Sequence, residues 1–368
     1  MNGLKEVELV SSGYYLPGEP IPFENIDDHL GALENAPEKI KKTIKKLRGV
    51  MKGVIKTKFS YFAIDFKTGK PLETNADMAT KAIKKALAKY GGEADEIEAI
   101  YLGSPVPDTL VPSTTPYIQE KLGIKNCVEI QITSNCTSIT KAMECAHNAL
   151  RVGKYKTVAV VYSQNPSVHL VAQYYNQEKV TIENLLLRWF LSDGAAAVIL
   201  RAVDKASNSI ILTDTFNNSV GINMKAGMWI PFGASDLSLP EIFKEGKHHF
   251  GQDYGMVNEK APIIGVEGFA DLLKETNTKA LDINHLIITL PSYSIEKTAQ
   301  NLFLEKLGIP DSVWFSNCEN KGYVGGASLI SSLDDLISNG MFKRGETTVC
   351  YAVESSKWMV GGFCLKSV

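Results

Sequence analysis

Short apolar runs rich in Val and Ile alternate along the chain with longer segments whose apolar residues recur at helical spacing. The short runs predict strands and the longer segments predict amphipathic helices. Strands are predicted at residues 99–102, 128–133, 157–162, 195–200, 286–290 and 347–353. Helices are predicted at residues 75–90, 139–151, 295–307 and 328–338. This alternation is typical of an α/β protein.

An internal repeat divides the chain. Glu-Lys-Leu-Gly-Ile occurs at 120–124 and again at 305–309, an offset of 305 − 120 = 185 positions, and the predicted elements on either side follow the same order. We therefore predict two similar halves, residues 1–175 and 176–368, joined near residues 165–190. The offset places Cys136 opposite a glycine-rich turn that begins at Gly322, so a site between the halves is expected.

The bulk composition describes a large globular protein. The 368 residues are 44% hydrophobic, and 39 basic against 41 acidic residues leave a net charge of −2, which does not favour a nucleic-acid partner. The first residues mix acids with apolar residues, unlike a signal peptide, and no apolar run is long enough to span a membrane. We expect a soluble cytoplasmic protein without a membrane partner.

The six cysteines contain one candidate nucleophile. They form no Cys-x-x-Cys pair, so neither a metal site nor a disulfide framework is predicted. Cys136 lies in Ser-Asn-Cys-Thr-Ser, between a predicted strand and a predicted helix. The positive end of a helix favours the reactive thiolate, and its free N–H groups can polarise a thioester carbonyl. The alternative is an ordinary buried thiol, which is the interpretation for the other five.

Four motifs in order resemble the β-ketoacyl-acyl-carrier-protein synthase III branch of the thiolase superfamily over nearly the whole chain. They are the cysteine motif, Ser-Asp-Gly-Ala from Ser192, Asn-Lys-Gly-Tyr-Val-Gly-Gly-Ala-Ser from Asn320, and Gly-Gly-Phe-Cys-Leu from Gly361. The resemblance implies a five-layered αβαβα thiolase fold with duplicated halves, and a homodimer or a dimer with a related subunit. It also implies that Cys136 receives an acyl group from coenzyme A or an acyl carrier protein, a thioester substrate, with no separate cofactor.

Two positions depart from that family. Ser292 stands where the family has a catalytic His, and Tyr323 stands where it has an Asn. A serine hydroxyl makes a weaker, non-titrating contact with a carbonyl that gains charge, so decarboxylative condensation is weakened while acylation of Cys136 is not. The family's glycine-rich C-terminal loop is also replaced, and this puts Glu354 and Ser356 near the expected site. Glu354 is a candidate replacement base, or else a carboxylate paired with Lys357 or solvent.

The remaining polar candidates are interpreted more simply. Lys297, Lys306 and Lys343 could dock an acidic carrier protein, or form an ordinary solvated face. The basic amphipathic segment 37–58 is interpreted as a surface helix near the mouth of a substrate tunnel. The resemblance places His169, His248 and His249 in variable regions that shape the acyl pocket or the dimer contact, and each is interpreted as structural or exposed.

The predicted function is an acyltransferase that loads Cys136 and passes the acyl group to an oxygen, nitrogen or carbon nucleophile, in specialised or fatty-acid-related metabolism. The alternatives are a catalytically impaired partner subunit of a heterodimeric complex, and a thioester hydrolase.

Overall fold

The computed structural model describes residues 3–233 and 238–368. The strands in this part of the chain are β1 (Glu6–Tyr15), β2 (Ile21–Pro22), β3 (Phe59–Ser60), β4 (Ala99–Ser104), β5 (Val128–Thr133), β6 (Thr157–Gln164), β7 (Gly194–Val203), β8 (Ile210–Ser219), β9 (Met228–Trp229), β10 (Gly251–Gln252), β11 (His285–Ile288), β12 (Thr347–Glu354) and β13 (Met359–Ser367). The helices are α1 (Ile26–Leu30), α2 (Glu38–Val54), α3 (Asn75–Tyr90), α4 (Thr115–Leu122), α5 (Ser138–Arg151), α6 (Ile182–Leu185), α7 (Leu239–Glu245), α8 (Tyr254–Glu275), α9 (Tyr293–Leu307), α10 (Cys318–Lys321) and α11 (Ala327–Ser338).

Nine strands form the main sheet in the order β11-β12-β13-β8-β1-β7-β6-β4-β5. Strands β4, β5 and β6 pair in parallel, as do β11 and β12, and the other neighbouring pairs are antiparallel. Within the described residues, the part β11-β12-β13-β8 and the part β1-β7-β6-β4-β5 join through a short pairing of β8 with β1. Two residue pairs make this connection, Glu8 with Ile211 and Leu9 with Ile210. The sheet therefore consists of two parts that are connected at one narrow place.

Helices separate and cover these two parts. α5 and α11 contact strands from both ends of the sheet, and their apolar side chains form the central core with β6, β7 and β13. α3 and α4 cover the outer side of one part, and α8 and α9 cover the outer side of the other. Apolar burial on both faces of each part explains why its strands are nearly continuous hydrophobic runs. The result is the five-layered αβαβα thiolase fold that the resemblance implied.

The repeated pentapeptide marks one structural feature in both halves. It ends α4 and α9, and its glycines, Gly123 and Gly308, take left-handed conformations with φ of 76° and 69°. Both glycine N–H groups bond to carbonyls of the preceding turn, while Ile124 and Ile309 are buried. A left-handed cap tolerates glycine best, so the same local requirement accounts for the same five residues.

The division of the chain at residue 175 stays a prediction. The order β1-α3-β4-α4-β5-α5-β6-β7 has its counterpart in β8-α8-β11-α9-α11-β12-β13. In the second series a single parallel bridge, Leu286 with Trp314, stands where β5 would be. Since β7 pairs with β1 and β6, this order favours a junction between β7 and β8.

None of the helices within residues 3–233 and 238–368 combines the length and apolar character that crossing a bilayer requires.

Candidate active site

Cys136 lies in the turn between β5, which ends at Thr133, and α5, which begins at Ser138. β4 runs beneath this turn, and a Cβ at its Gly103 would come within 2.8 Å of the Ser138 carbonyl carbon. Glycine at 103 thus lets the end of α5 pack directly on the sheet. The predicted arrangement of strand, turn, thiol and helix is confirmed.

The Cys136 thiol contacts Tyr323 from the other half of the chain. Its Sγ lies 3.1 Å from the Tyr323 hydroxyl, within hydrogen-bond distance, and either atom could be the donor. Cys136 is partly accessible because it lines a cavity, although protein surrounds it on the other sides. The cysteine loop and the glycine-rich turn that the repeat placed opposite one another are therefore neighbours.

The environment of the thiol differs from the sequence-based expectation. Burial raises the pKa of the Cys136 thiol to about 12, the charge of Glu354 raises it further, and the hydrogen bond with Tyr323 opposes the rise. The sequence predicted a thiolate favoured by the helix end, and the pKa moves in the opposite direction. Desolvation disfavours the charged form, and here it outweighs the helix dipole.

Glycines hold the Tyr323 loop close to the site. A Cβ at Gly322, where φ is +72°, would lie 2.6 Å from the Ser192 hydroxyl. A Cβ at Gly325, where φ is +52°, would lie 2.5 Å from the Tyr162 hydroxyl. The Tyr323 carbonyl accepts a 3.0 Å hydrogen bond from the Ser192 N–H. The glycine-rich turn and the Ser-Asp-Gly-Ala motif therefore meet beside the thiol.

Glu354 occupies the N-terminal end of α5. It is 1% exposed, and its carboxylate accepts hydrogen bonds from the Thr137 N–H at 3.0 Å, the Thr137 hydroxyl at 2.5 Å and the Ser134 hydroxyl at 2.9 Å. The Ser356 hydroxyl also donates to it. The predicted alternatives of Lys357 or solvent as its partner are wrong, because Lys357 donates to the Met224 carbonyl and Glu354 is buried.

A cavity of about 310 Å³ leads to Cys136. Its walls are mainly apolar and come from both halves of the chain, among them Phe190, Phe250, Val257 and Ile295. An engineered cavity of about 150 Å³ binds benzene, so this one has room for a substantially larger apolar group. Ser356, which the sequence placed near the expected site, lines the cavity, and its role in substrate binding stays a prediction.

Ser292 lies outside the lining of the cavity that leads to Cys136. It is fully buried and occupies the N-cap position of α9. Its hydroxyl lies 3.3 Å from that of Tyr254 and 2.9 Å from that of Ser294. Tyr254, the first residue of α8, lines the cavity, whereas Ser292 does not. Sequence reasoning missed Tyr254, and its only signal was a tyrosine directly after the helix-capping Asp253.

His169 also lines the cavity, the only one of the six histidines to do so. Its ring packs edge-on against Tyr174, and within the described residues its buried Nδ1 has no hydrogen-bond partner. Burial and the nearby His248 lower its pKa to about 4, which keeps the imidazole neutral near pH 7. The sequence treated His169 as structural or exposed, because its neighbours in the fold could not be read from local pattern.

The predicted basic residues lie away from the cavity. Lys297 and Lys306 are exposed on α9, and neither lines the cavity. Nine residues correspond to about two and a half helical turns, so the two lysines point to opposite sides of α9. They do not form one patch on this helix, and docking of a carrier protein there stays a prediction.

The comparisons with known proteins agree with this arrangement. A family model described as 3-oxoacyl-[acyl-carrier-protein] synthase III matches residues 130–219, which include Cys136. A β-ketoacyl-[acyl-carrier-protein] synthase III from Clostridium perfringens (strain SM101 / Type A) is 23% identical over 350 residues, which cover 94% of this chain and 95% of the relative.

Two solved structures share the fold. AbyA1, a tetronic acid condensing enzyme, has a TM-score of 0.79 at 21% identity, with 98% of this chain and 99% of that chain covered. 3-Oxoacyl-(acyl carrier protein) synthase III from Pseudomonas aeruginosa PAO1 has a TM-score of 0.76 at 18% identity, with 98% of both chains covered.

The layered architecture, with a cysteine at a cavity between two similar halves, is that of the thiolase fold. The chain is similar to β-ketoacyl-[acyl-carrier-protein] synthase III over nearly its whole length, and it shares the fold of the solved synthase III structures. The interpretation of Ser292 and Tyr323 as replacements of the family's His and Asn stays a prediction.

Proposed function

We propose that the protein is an acyltransferase in which Cys136 takes an acyl group from a coenzyme A or acyl-carrier-protein thioester and passes it to an acceptor. The observation that carries the proposal is the Cys136 thiol at a cavity with apolar walls, beside a helix N-terminus. An apolar cavity of this size suits an acyl chain, and the thiol is the nucleophile that thioester exchange needs.

In the first step the Cys136 sulfur attacks the thioester carbonyl. A new sulfur–carbon bond forms, the bond to the donor sulfur breaks, and the Cys136 proton leaves with the donor thiol. The Tyr323 hydroxyl, 3.1 Å from Sγ, can donate a hydrogen bond to the sulfur or to the carbonyl oxygen as it gains charge. In the second step an acceptor or water forms a bond to the acyl carbon, the bond between that carbon and the Cys136 sulfur breaks, and the proton of the acceptor or water returns to Cys136.

Glu354 serves the second step less well as a base than the sequence predicted. Its oxygens already accept bonds from two neighbouring serines and from Thr137, and the carboxylate does not line the cavity. A general base must reach the proton that it removes. His169, by contrast, lines the cavity with its imidazole.

The alternative of a catalytically impaired partner subunit is not favoured, because the chain keeps both the thiol and a cavity that leads to it. A second copy of this chain remains the proposed subunit partner. The edge strand β5 is only partly buried, and nearby Leu110 and Val111 are 94% and 87% exposed, so this edge offers unpaired backbone and apolar surface.

Intact mass spectrometry tests the proposal. The purified protein is incubated with acyl-coenzyme A and acyl-carrier thioesters of graded chain length, and an added acyl mass is expected for the wild type but not for Cys136→Ala. Cys145→Ser is the matched control, since Cys145 is an exposed thiol on the same helix. No adduct with any donor, or an adduct lost in Cys145→Ser, contradicts the acyl-enzyme.

A further inference from the structure

The carboxylate of Glu354 lies where a thiolate would gain most from α5. The end of a helix offers unpaired N–H groups and a partial positive charge, which stabilise one nearby anion. Here the Thr137 N–H, directly after Cys136 in the chain, donates to Glu354 at 3.0 Å, and the Thr137 hydroxyl donates to it as well. The N–H and hydroxyl donors at this helix end are therefore directed at Glu354 and not at the sulfur.

We infer that Glu354 is a positioning residue that takes the anion-binding end of α5 for itself and keeps the neighbouring Cys136 in its protonated form. The inference deepens the proposed function and rests on it for its consequence, which is a nucleophile that is protected from electrophiles and oxidants in solution. Thiolate is the reactive form of cysteine toward both.

Among the other groups around the thiol, Tyr323 opposes the effect of Glu354 through its hydrogen bond with the sulfur. Tyr323 contacts the sulfur, while Tyr162 and Cys318 are close enough to influence its charge, and burial raises the pKa of all three. Lys141 of α5 is the nearest cation in the Glu354 cluster, but its ammonium donates to the Ser134 hydroxyl at 3.0 Å and the Met359 sulfur at 3.2 Å. His169, which also lines the cavity, is neutral near pH 7.

The hydrogen bonds of Glu354 also hold the cysteine loop in position, in addition to the effect of its charge on the thiol. Glu354 is the last residue of β12 in one half of the chain, and its partners Ser134 and Thr137 belong to the cysteine loop in the other half. Charge-assisted hydrogen bonds of this kind are about twice as strong as neutral ones. The carboxylate therefore ties the two halves together beside the thiol.

The test is the pH dependence of Cys136 alkylation in Glu354→Gln. Iodoacetamide labelling of Cys136 is followed by peptide mass spectrometry from pH 6 to pH 10. Wild type should gain about tenfold in rate per pH unit over this range without a plateau, because its thiol titrates near pH 12. For each unit by which the thiol pKa falls in the variant, the thiolate fraction at a fixed pH rises tenfold. Each thiolate is also less nucleophilic, so the labelling rate at that pH increases about three- to fourfold.

Glu346→Gln is the matched control, because it makes the same change at a carboxylate that pairs with His285 and does not line the cavity; its profile should follow wild type. If Glu354→Gln does not give a native circular dichroism spectrum, Glu354→Asp replaces it and should shift the midpoint down by a smaller amount. A profile of the folded variant that coincides with wild type, or a midpoint that rises, overturns the inference. Alkylation needs no acyl donor, so this failure is distinct from failure of the proposed acyl transfer.

Discussion

Removing the Tyr323 hydroxyl tests whether the contact between the two halves of the site serves chemistry. In Tyr323→Phe the ring stays, and only the oxygen that lies 3.1 Å from the Cys136 sulfur is lost. A hydrogen bond to a group that gains charge contributes about 1.5–3 kcal/mol, and each 1.36 kcal/mol changes a rate tenfold. Acylation of Cys136 should therefore slow about 10- to 150-fold, while the free energy of unfolding changes by less than about 1.5 kcal/mol.

The assay is rapid-quench intact mass spectrometry under single-turnover conditions, with the donor that loads the wild type best. Tyr351→Phe is the matched control, because its buried hydroxyl donates at 3.0 Å to the Gly265 carbonyl and Tyr351 does not line the cavity of Cys136. The control should lose stability and keep the wild-type acylation rate. An unchanged acylation rate in Tyr323→Phe, or an equal loss in both variants, would refute the role given to Tyr323.

Two further predictions concern stability. Gly325→Ala should lower Tm more than Gly340→Ala. Both glycines have positive φ, but of the two only Gly325 would place a Cβ against buried oxygens, 2.5 Å away. Equal losses of Tm in thermal melts would contradict the packing argument. Burial lowers the pKa of His147 and His249 to about 4, against about 6.5 in the unfolded chain, so the unfolded state binds more protons between these values. The free energy of unfolding should therefore fall as pH drops from 6.5 toward 4, by at most about 1.4 kcal/mol per pH unit for each histidine, and urea titrations at pH 7, 6 and 5 that show no decrease would contradict it.

Much of the fold follows from local pattern. Every predicted strand and helix is present within a few residues of its expected bounds, and α3 has the predicted bounds, residues 75–90. These elements are buried on one or both faces, so hydrophobic spacing reports them directly.

The elements that were not predicted carry conflicting local signals. β1 contains Ser11, Ser12 and Gly13, which read as a turn; in the fold the two serines are buried and donate to the Ala86 carbonyl and to Asp334. α8 contains Pro262 and several glycines, and Gly268 is needed there because a Cβ would come within 2.7 Å of Val360. Tertiary contacts decided both cases, and a single sequence does not display them.

The candidate site was predictable in part. The repeat and the resemblance brought Cys136 and Tyr323 together, and Ser356 lines the cavity. The burial of Ser292, the enclosure of Glu354 by hydroxyl and N–H donors, and the place of His169 in the cavity depend on which loops meet between the halves. For the same reason the helix end alone predicted the wrong direction for the thiol pKa.

The central claim is that the Cys136 sulfur accepts the acyl group, and peptide mapping of the acylated protein tests it most directly. After incubation with an acyl thioester, proteolysis and tandem mass spectrometry should place the acyl mass on Cys136, and brief treatment with neutral hydroxylamine should remove it as expected for a thioester. An acyl group found on another residue, or a Cys136 peptide that stays unmodified while the donor is consumed, would contradict the account.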